Sequence, residues 1–136
     1  MMDITPLANA VIQLHSAIEE QALEPHRVLL RSGLIQTFEY TFELSHKMIR
    51  RYLARTEPDP DQVAKLTFEG LIRRADELGL IASPVSAWKE FRQARTDTSH
   101  TYIEEKALIV VALIPVFARE ADYLVEQLQE RIRASA

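Results

Sequence analysis

Residues 28–55 read VLLRSGLIQTFEYTFELSHKMIRRYLAR, and this stretch decides the fold. Leu34, Phe38, Phe42, Ile49 and Tyr52 recur at helical spacing, with Leu44 beside Phe42, while charged residues fill the remaining positions. A stripe with that period predicts one long amphipathic helix from about Val28 to Arg55. No proline interrupts it, and its one glycine, Gly33, lies in the second turn. On the near side, Glu24-Pro25-His26 ends or bends a first helix, whose face is Leu7, Val11, Leu14 and Ile18. Asp3 is placed to cap that helix, with Pro6 in its first turn. On the far side, Glu57-Pro58-Asp59-Pro60-Asp61 reads as a connector, since two prolines and three acids oppose continuation of the helix.

The remaining chain continues the same pattern. A shorter helix is expected over roughly Thr67 to Leu78, with Gly79 as its left-handed C-terminal residue and Leu80 folding back over the end. Ser83-Pro84 reads as N-cap and first helical position of a helix carrying Val85, Trp88 and Phe91, all expected in the core. That helix falters at Thr96-Asp97-Thr98-Ser99, four short polar side chains that compete for backbone hydrogen bonds. Thr101 and Glu104 fit a capping box for a last helix that runs to about Arg131, bent near Pro115. The expectation is an all-α protein: one domain over residues 1–136, an antiparallel up-and-down bundle of four long helices plus one short helix.

Composition bounds the function. At 136 residues the chain supports one core, and with no cysteine it has no disulfide, zinc–thiolate site or Cys nucleophile. Its longest apolar run, Ala107 to Ala118, is interrupted by Pro115 and too short to span a bilayer. Met1 to Pro6 lacks a basic region followed by an apolar run, so no signal peptide and a cytoplasmic location are expected. The formal net charge is −4, so any contact with RNA or a nucleotide has to come from a local basic patch. Lys47, Arg50 and Arg51 share a helix face and are the phosphate-binding candidates, with Arg55 following.

Chemistry points to the interruption, Arg95-Thr96-Asp97-Thr98-Ser99-His100-Thr101-Tyr102. On an unbroken helix, Arg95 and His100 would lie about 140° apart, whereas a corner lets both turn toward one point. An imidazole transfers protons near neutral pH and a guanidinium holds a phosphate with two prongs. The pair suits metal-free phosphodiester cleavage, with His100 as general acid or base and Arg95 neutralising developing charge. The plainer alternative is a helix corner with an Arg–carboxylate bridge and a capping His. Glu39, Glu43 and Lys47 follow at i,i+4 steps, either as a solvated salt-bridge ladder or as a polar stripe that orients Arg95. Asp97 is a further candidate for supporting the corner or contacting a partner. Glu43-Leu44-Ser45-His46 has the Glu-x-x-His spacing of di-iron bundles, but no second such pair exists, so no metal and no cofactor is expected.

Three blocks resemble the nucleotidyltransferase substrate-binding protein family, a branch of the HEPN superfamily. Residues 33–47, GLIQTFEYTFELSHK, are similar to the family's IQxFExTxELxWK helix. Gly79-Leu80-Ile81 followed by Trp88 is similar to its GLI…W turn, and Arg95 to Tyr102 to its RNxxSHxY corner. The resemblance implies a helical homodimer that pairs with a minimal nucleotidyltransferase encoded nearby. It further implies a toxin of a two-gene toxin–antitoxin system, a metal-independent ribonuclease with Arg95 and His100 catalytic and silenced by adenylylation of Tyr102. The alternative is a non-catalytic subunit that binds nucleotide or substrate for the nucleotidyltransferase. The chain departs from the family at Thr96, usually Asn or Asp, at Thr37, often Arg, and at His46, usually Trp.

Overall fold

A computed structural model describes residues 2–135. Among these residues there are six α-helices and no strand: α1 (Thr5–Leu23), α2 (Val28–Thr56), α3 (Pro60–Lys65), α4 (Phe68–Glu77), α5 (Val85–Asp97) and α6 (Glu104–Ala134). A 3-10 turn, Thr98–His100, follows α5 directly. Helix α1 packs along α2, while α6 runs against α1, α2 and α5. The all-α expectation holds, with four long helices and the short α4, and α3 is an addition. None of the helices is long and apolar enough to cross a membrane.

Helix α2 follows its apolar stripe closely. Leu34, Phe38, Phe42 and Ile49 are buried. Leu53, rather than the half-buried Tyr52, completes the stripe. At the centre, Phe38, Phe91 and Trp88 surround Phe117 of α6, with Phe38 and Phe91 each 5.3 Å from it and edge-on. Such pairs each add about 0.5–1.5 kcal/mol beyond the area they bury. Trp88 is fully buried, as expected.

The helix ends are where local signals and outcome diverge. Gly79 has φ +75°, and Leu80 N–H donates to Ala75 (2.9 Å) while Gly79 N–H donates to Asp76 (3.0 Å), closing α4 as expected. Thr67 caps α4 through the Gly70 amide. Pro60 opens α3 instead of lying in a connector, because Asp59 accepts from the amides of Asp61 and Gln62 and the proline ring suits a first turn. Asp3 accepts from the Thr5 amide one residue before the cap position, which is Ile4. Ser83 does not cap α5, and Thr101 does not cap α6. Both hydroxyls are engaged elsewhere: Thr101 donates to the Thr98 carbonyl (3.2 Å) and Ser83 donates to Glu120.

Glu120 organises that end of the bundle. It is 4 % exposed, in the middle of α6. Its carboxyl group accepts from the amides of Ala82 (2.9 Å) and Ser83 (3.0 Å), from the Ser83 hydroxyl, and from Trp88 Nε1 (3.3 Å). The loop entering α5 is thereby fixed, and with it the direction in which α5 carries Arg95.

Candidate functional site at the corner between helices 5 and 6

Arg95 lies in the last turn of α5, where the buried Thr98 holds it in place. The Thr98 hydroxyl donates to the Arg95 carbonyl (2.6 Å) and accepts from Arg95 Nη1 (3.1 Å). Across the groove, α2 presents two carboxylates. Glu39 lies 3.5 Å from Arg95 Nη1 and Glu43 lies 3.4 Å from Nε. Nε is buried without a directed hydrogen bond, so Glu43 holds it by charge at ion-pair distance. Nη2 has no partner among the described residues. One edge of the guanidinium is thus anchored while its remaining donors stay available. The stripe expected from Glu39, Glu43 and Lys47 resolves into two carboxylates turned to Arg95 and an exposed Lys47 with no carboxylate partner among the described residues.

Past Thr98 the chain turns through the 3-10 segment, whose His100 carbonyl accepts from the Ile103 amide (3.0 Å). His100 is exposed, and its side chain makes no hydrogen bond among the described residues. Tyr102 is 81 % exposed, and its ring meets the imidazole edge-on with centroids 6.1 Å apart. Corner residues His100 and Tyr102 therefore sit side by side at the surface, beyond an arginine fixed from three directions. Asp97 accepts from Gln93 (3.0 Å) and is not bonded to Arg95. Thr96 bonds back to the Arg92 carbonyl (3.2 Å), which is local helix chemistry.

The basic candidates on α2 divide. Lys47, Arg50 and Arg51 line one shallow depression of about 330 Å³ with Ala54, Pro60 and Val63. Arg50 is committed to structure, donating to the Val63 carbonyl of α3 (2.8 Å). Lys47 and Arg51 are exposed.

His46 occupies an aromatic slot, with the rings of Phe42 and Phe68 at 5.3 and 5.8 Å and Glu43 at 3.2 Å. The imidazole packs tilted against Phe42 and edge-on to Phe68. Burial outweighs the attraction of Glu43 and holds the His46 pKa below its ordinary value. The unfolded chain therefore binds a proton more readily than the folded one, and stability falls as pH drops from the ordinary histidine value through the depressed one. Thermal melts between about pH 7 and pH 5 should show a decline in wild type that is smaller in His46→Phe. Equal declines would show that other groups carry it.

Nothing in the sequence singles out Phe68 or Glu120. Thr98 carries one signal, its i,i+3 spacing from Arg95, and its anchoring role is not evident without the fold.

Comparisons with known proteins identify the fold and the family. A family model described as nucleotidyltransferase substrate binding protein like matches residues 2–130. The chain is 41% identical over 102 residues to a Haemophilus influenzae protein named probable ribonuclease HepT, covering 75% of this chain and 69% of that one. A solved H. influenzae structure, described as revealing the fold of a substrate-binding domain of a nucleotidyltransferase, superposes with a TM-score of 0.86 at 32% identity, covering 93% of this chain and 99% of the other. A solved Thermus thermophilus protein aligns with a TM-score of 0.76 at 28% identity, covering 90% and 98%. A family match over nearly the whole length, together with the same fold at 32% identity, leads to one assignment: the chain belongs to the nucleotidyltransferase substrate binding protein like family.

Proposed function

We propose that this chain is the HEPN-type toxin of a two-gene toxin–antitoxin system, a metal-independent endoribonuclease silenced by adenylylation of Tyr102. The observation that carries the reading is an anchored Arg95 at the end of α5, followed across the 3-10 turn by a His100 whose imidazole is open to solvent. In a homodimer, two copies of the corner face one phosphodiester. One imidazole accepts the proton of the ribose 2′-hydroxyl, whose oxygen attacks phosphorus. The other gives a proton to the departing 5′-oxygen, leaving a 2′,3′-cyclic phosphate and a free 5′-hydroxyl. The open donors of Arg95 meet the charge that builds on the phosphoryl oxygens. Exposed Ile103, Leu108, Ile109 and Val116 follow the corner along α6 and support a second copy as the cover of that face.

Silencing follows from the position of Tyr102. Its hydroxyl attacks the α-phosphorus of ATP bound by the nucleotidyltransferase, pyrophosphate leaves, and the attached AMP covers the adjacent imidazole. The nucleotidyltransferase partner draws support from the family and from the description of the H. influenzae structure. That description also favours a second reading, a non-catalytic subunit that binds nucleotide or substrate for the nucleotidyltransferase.

Two measurements separate the readings. RNA cleavage should persist with excess chelator present. Intact mass after incubation with the nucleotidyltransferase and ATP should rise by one or more AMP units in wild type and not in Tyr102→Phe, with cleavage lost in step. A stable complex without added mass or cleavage would establish the non-catalytic subunit instead.

A further inference from the structure

We infer that a strip of unpaired cations running from the Arg95–His100 corner down α2 is the binding track for the phosphodiester backbone of single-stranded RNA. This inference rests on the ribonuclease reading and specifies where the substrate lies. The strip is continuous in the structure. Glu43 touches both Arg95 (3.4 Å) and His46 (3.2 Å), His46 meets Phe68, and the Arg92 guanidinium lies 4.6 Å from the Phe68 ring centroid. Lys47 follows His46 in the chain, and Arg51 shares with it the depression between α2 and α3. At 1.5 Å of rise per residue, Arg51 lies about 12 Å along the helix axis from Glu43, and Lys47 about halfway. Cations are therefore offered at intervals along a path, not at one point.

The distribution of charge marks this strip out. Among the described residues Arg92, Lys47 and Arg51 have no carboxylate within ion-pair distance, in a chain whose net charge is −4. Three nearby acids are already engaged. Glu43 serves Arg95 and His46, Glu69 serves Arg73 and Lys89, and Asp59 accepts from the α3 amides. The exposed Arg92 guanidinium, backed by the half-buried Phe68 ring, adds a surface on which an unstacked base can lie. Phosphate contacts at intervals with an aromatic–arginine platform between them are the recurring means of holding a single strand without reading its sequence. A duplex would not present its bases to that platform.

The test is fluorescence anisotropy with a labelled 2′-O-methyl oligoribonucleotide of about twelve nucleotides, which binds as RNA but lacks the attacking hydroxyl. The variants are Lys47→Gln/Arg51→Gln, the same pair with Arg92→Gln, and the charge-keeping Lys47→Arg/Arg51→Lys. Expected results are at least tenfold weaker binding in the triple variant and near wild-type binding in the charge-keeping one. The slope of log affinity against log salt should become shallower by about 0.7 for each phosphate that the variant no longer neutralises. Wild-type binding by a folded triple variant, confirmed by its melt, overturns the track. So does a triple variant that keeps the oligonucleotide but loses the nucleotidyltransferase in a pull-down, which would assign the strip to the partner. No binding by wild type, with His100-dependent cleavage intact, overturns the track and leaves the ribonuclease reading standing. Binding lost in the triple variant without any cleavage by wild type upholds the track and removes the ribonuclease.

Discussion

RNA cleavage by His100→Ala is expected to fall by about 10²–10⁴-fold, the usual contribution of a positioned acid–base group. The same substitution should leave stability within about 0.5 kcal/mol, because the side chain is exposed and bonded to nothing else among the described residues. That separation makes the experiment decisive. A melt that matches wild type, with cleavage abolished, assigns the loss to chemistry. Equal cleavage by both proteins would remove the imidazole from the mechanism. Arg95→Gln should also lose cleavage but be less clean, since it leaves Glu39 and Glu43 facing one another with no cation between them. Some loss of stability should accompany it, so the histidine is the better probe of the reaction and the arginine the better probe of how the site is held.

Glu120→Ala is expected to cost about 3–5 kcal/mol, the range for stripping a buried polar group from the donors it serves. Ala82 N–H, Ser83 N–H, the Ser83 hydroxyl and Trp88 Nε1 would all lose their acceptor inside the bundle. For a domain of this size the melting temperature should fall by roughly 10–20 °C. Glu120→Gln keeps one oxygen but turns an amide NH₂ toward donors, so its loss should be intermediate. A loss below about 1 kcal/mol for the alanine variant would mean that water replaces the carboxyl group and that the loop into α5 is not pinned by it. Because α5 carries Arg95, the alanine variant should also lose cleavage below its melting temperature, through misplacement of the corner.

Much of this protein is written in local pattern. Helix α2 is legible from Val28 to its end because apolar residues recur every three or four positions, and burying that stripe is the dominant stabilising term. The turn at Gly79 is legible because few residues other than glycine adopt positive φ at low cost. The corner at Arg95–Tyr102 is legible as a break, since short polar side chains compete with helical hydrogen bonds.

Pairings between distant residues are not legible. Within α2, spacing alone allows Glu43 to pair with Lys47, and an isolated helix gains only a few tenths of a kcal/mol from such a pair. The half-buried guanidinium of Arg95, delivered from α5, draws both carboxylates instead, because charges facing each other away from solvent interact more strongly. Ser83 and Thr101 have the residue types of helix caps, yet the helices start one and two residues further on, and the hydroxyls donate to Glu120 and to the Thr98 carbonyl instead of accepting from a helix amide. Glu120 shares the apolar face of α6 with Phe117 and Leu124, and its four donors come from the loop before α5 and from Trp88. The sequence alone determined the five longer helices, the break at the corner and the residue types gathered there, because those depend on neighbours a few positions apart, whereas the short α3 was read as connector. Only the tertiary structure decided which carboxylates hold Arg95, which acid pins α5 and which cations remain unpaired, because each depends on side chains that packing brings together from opposite parts of the chain.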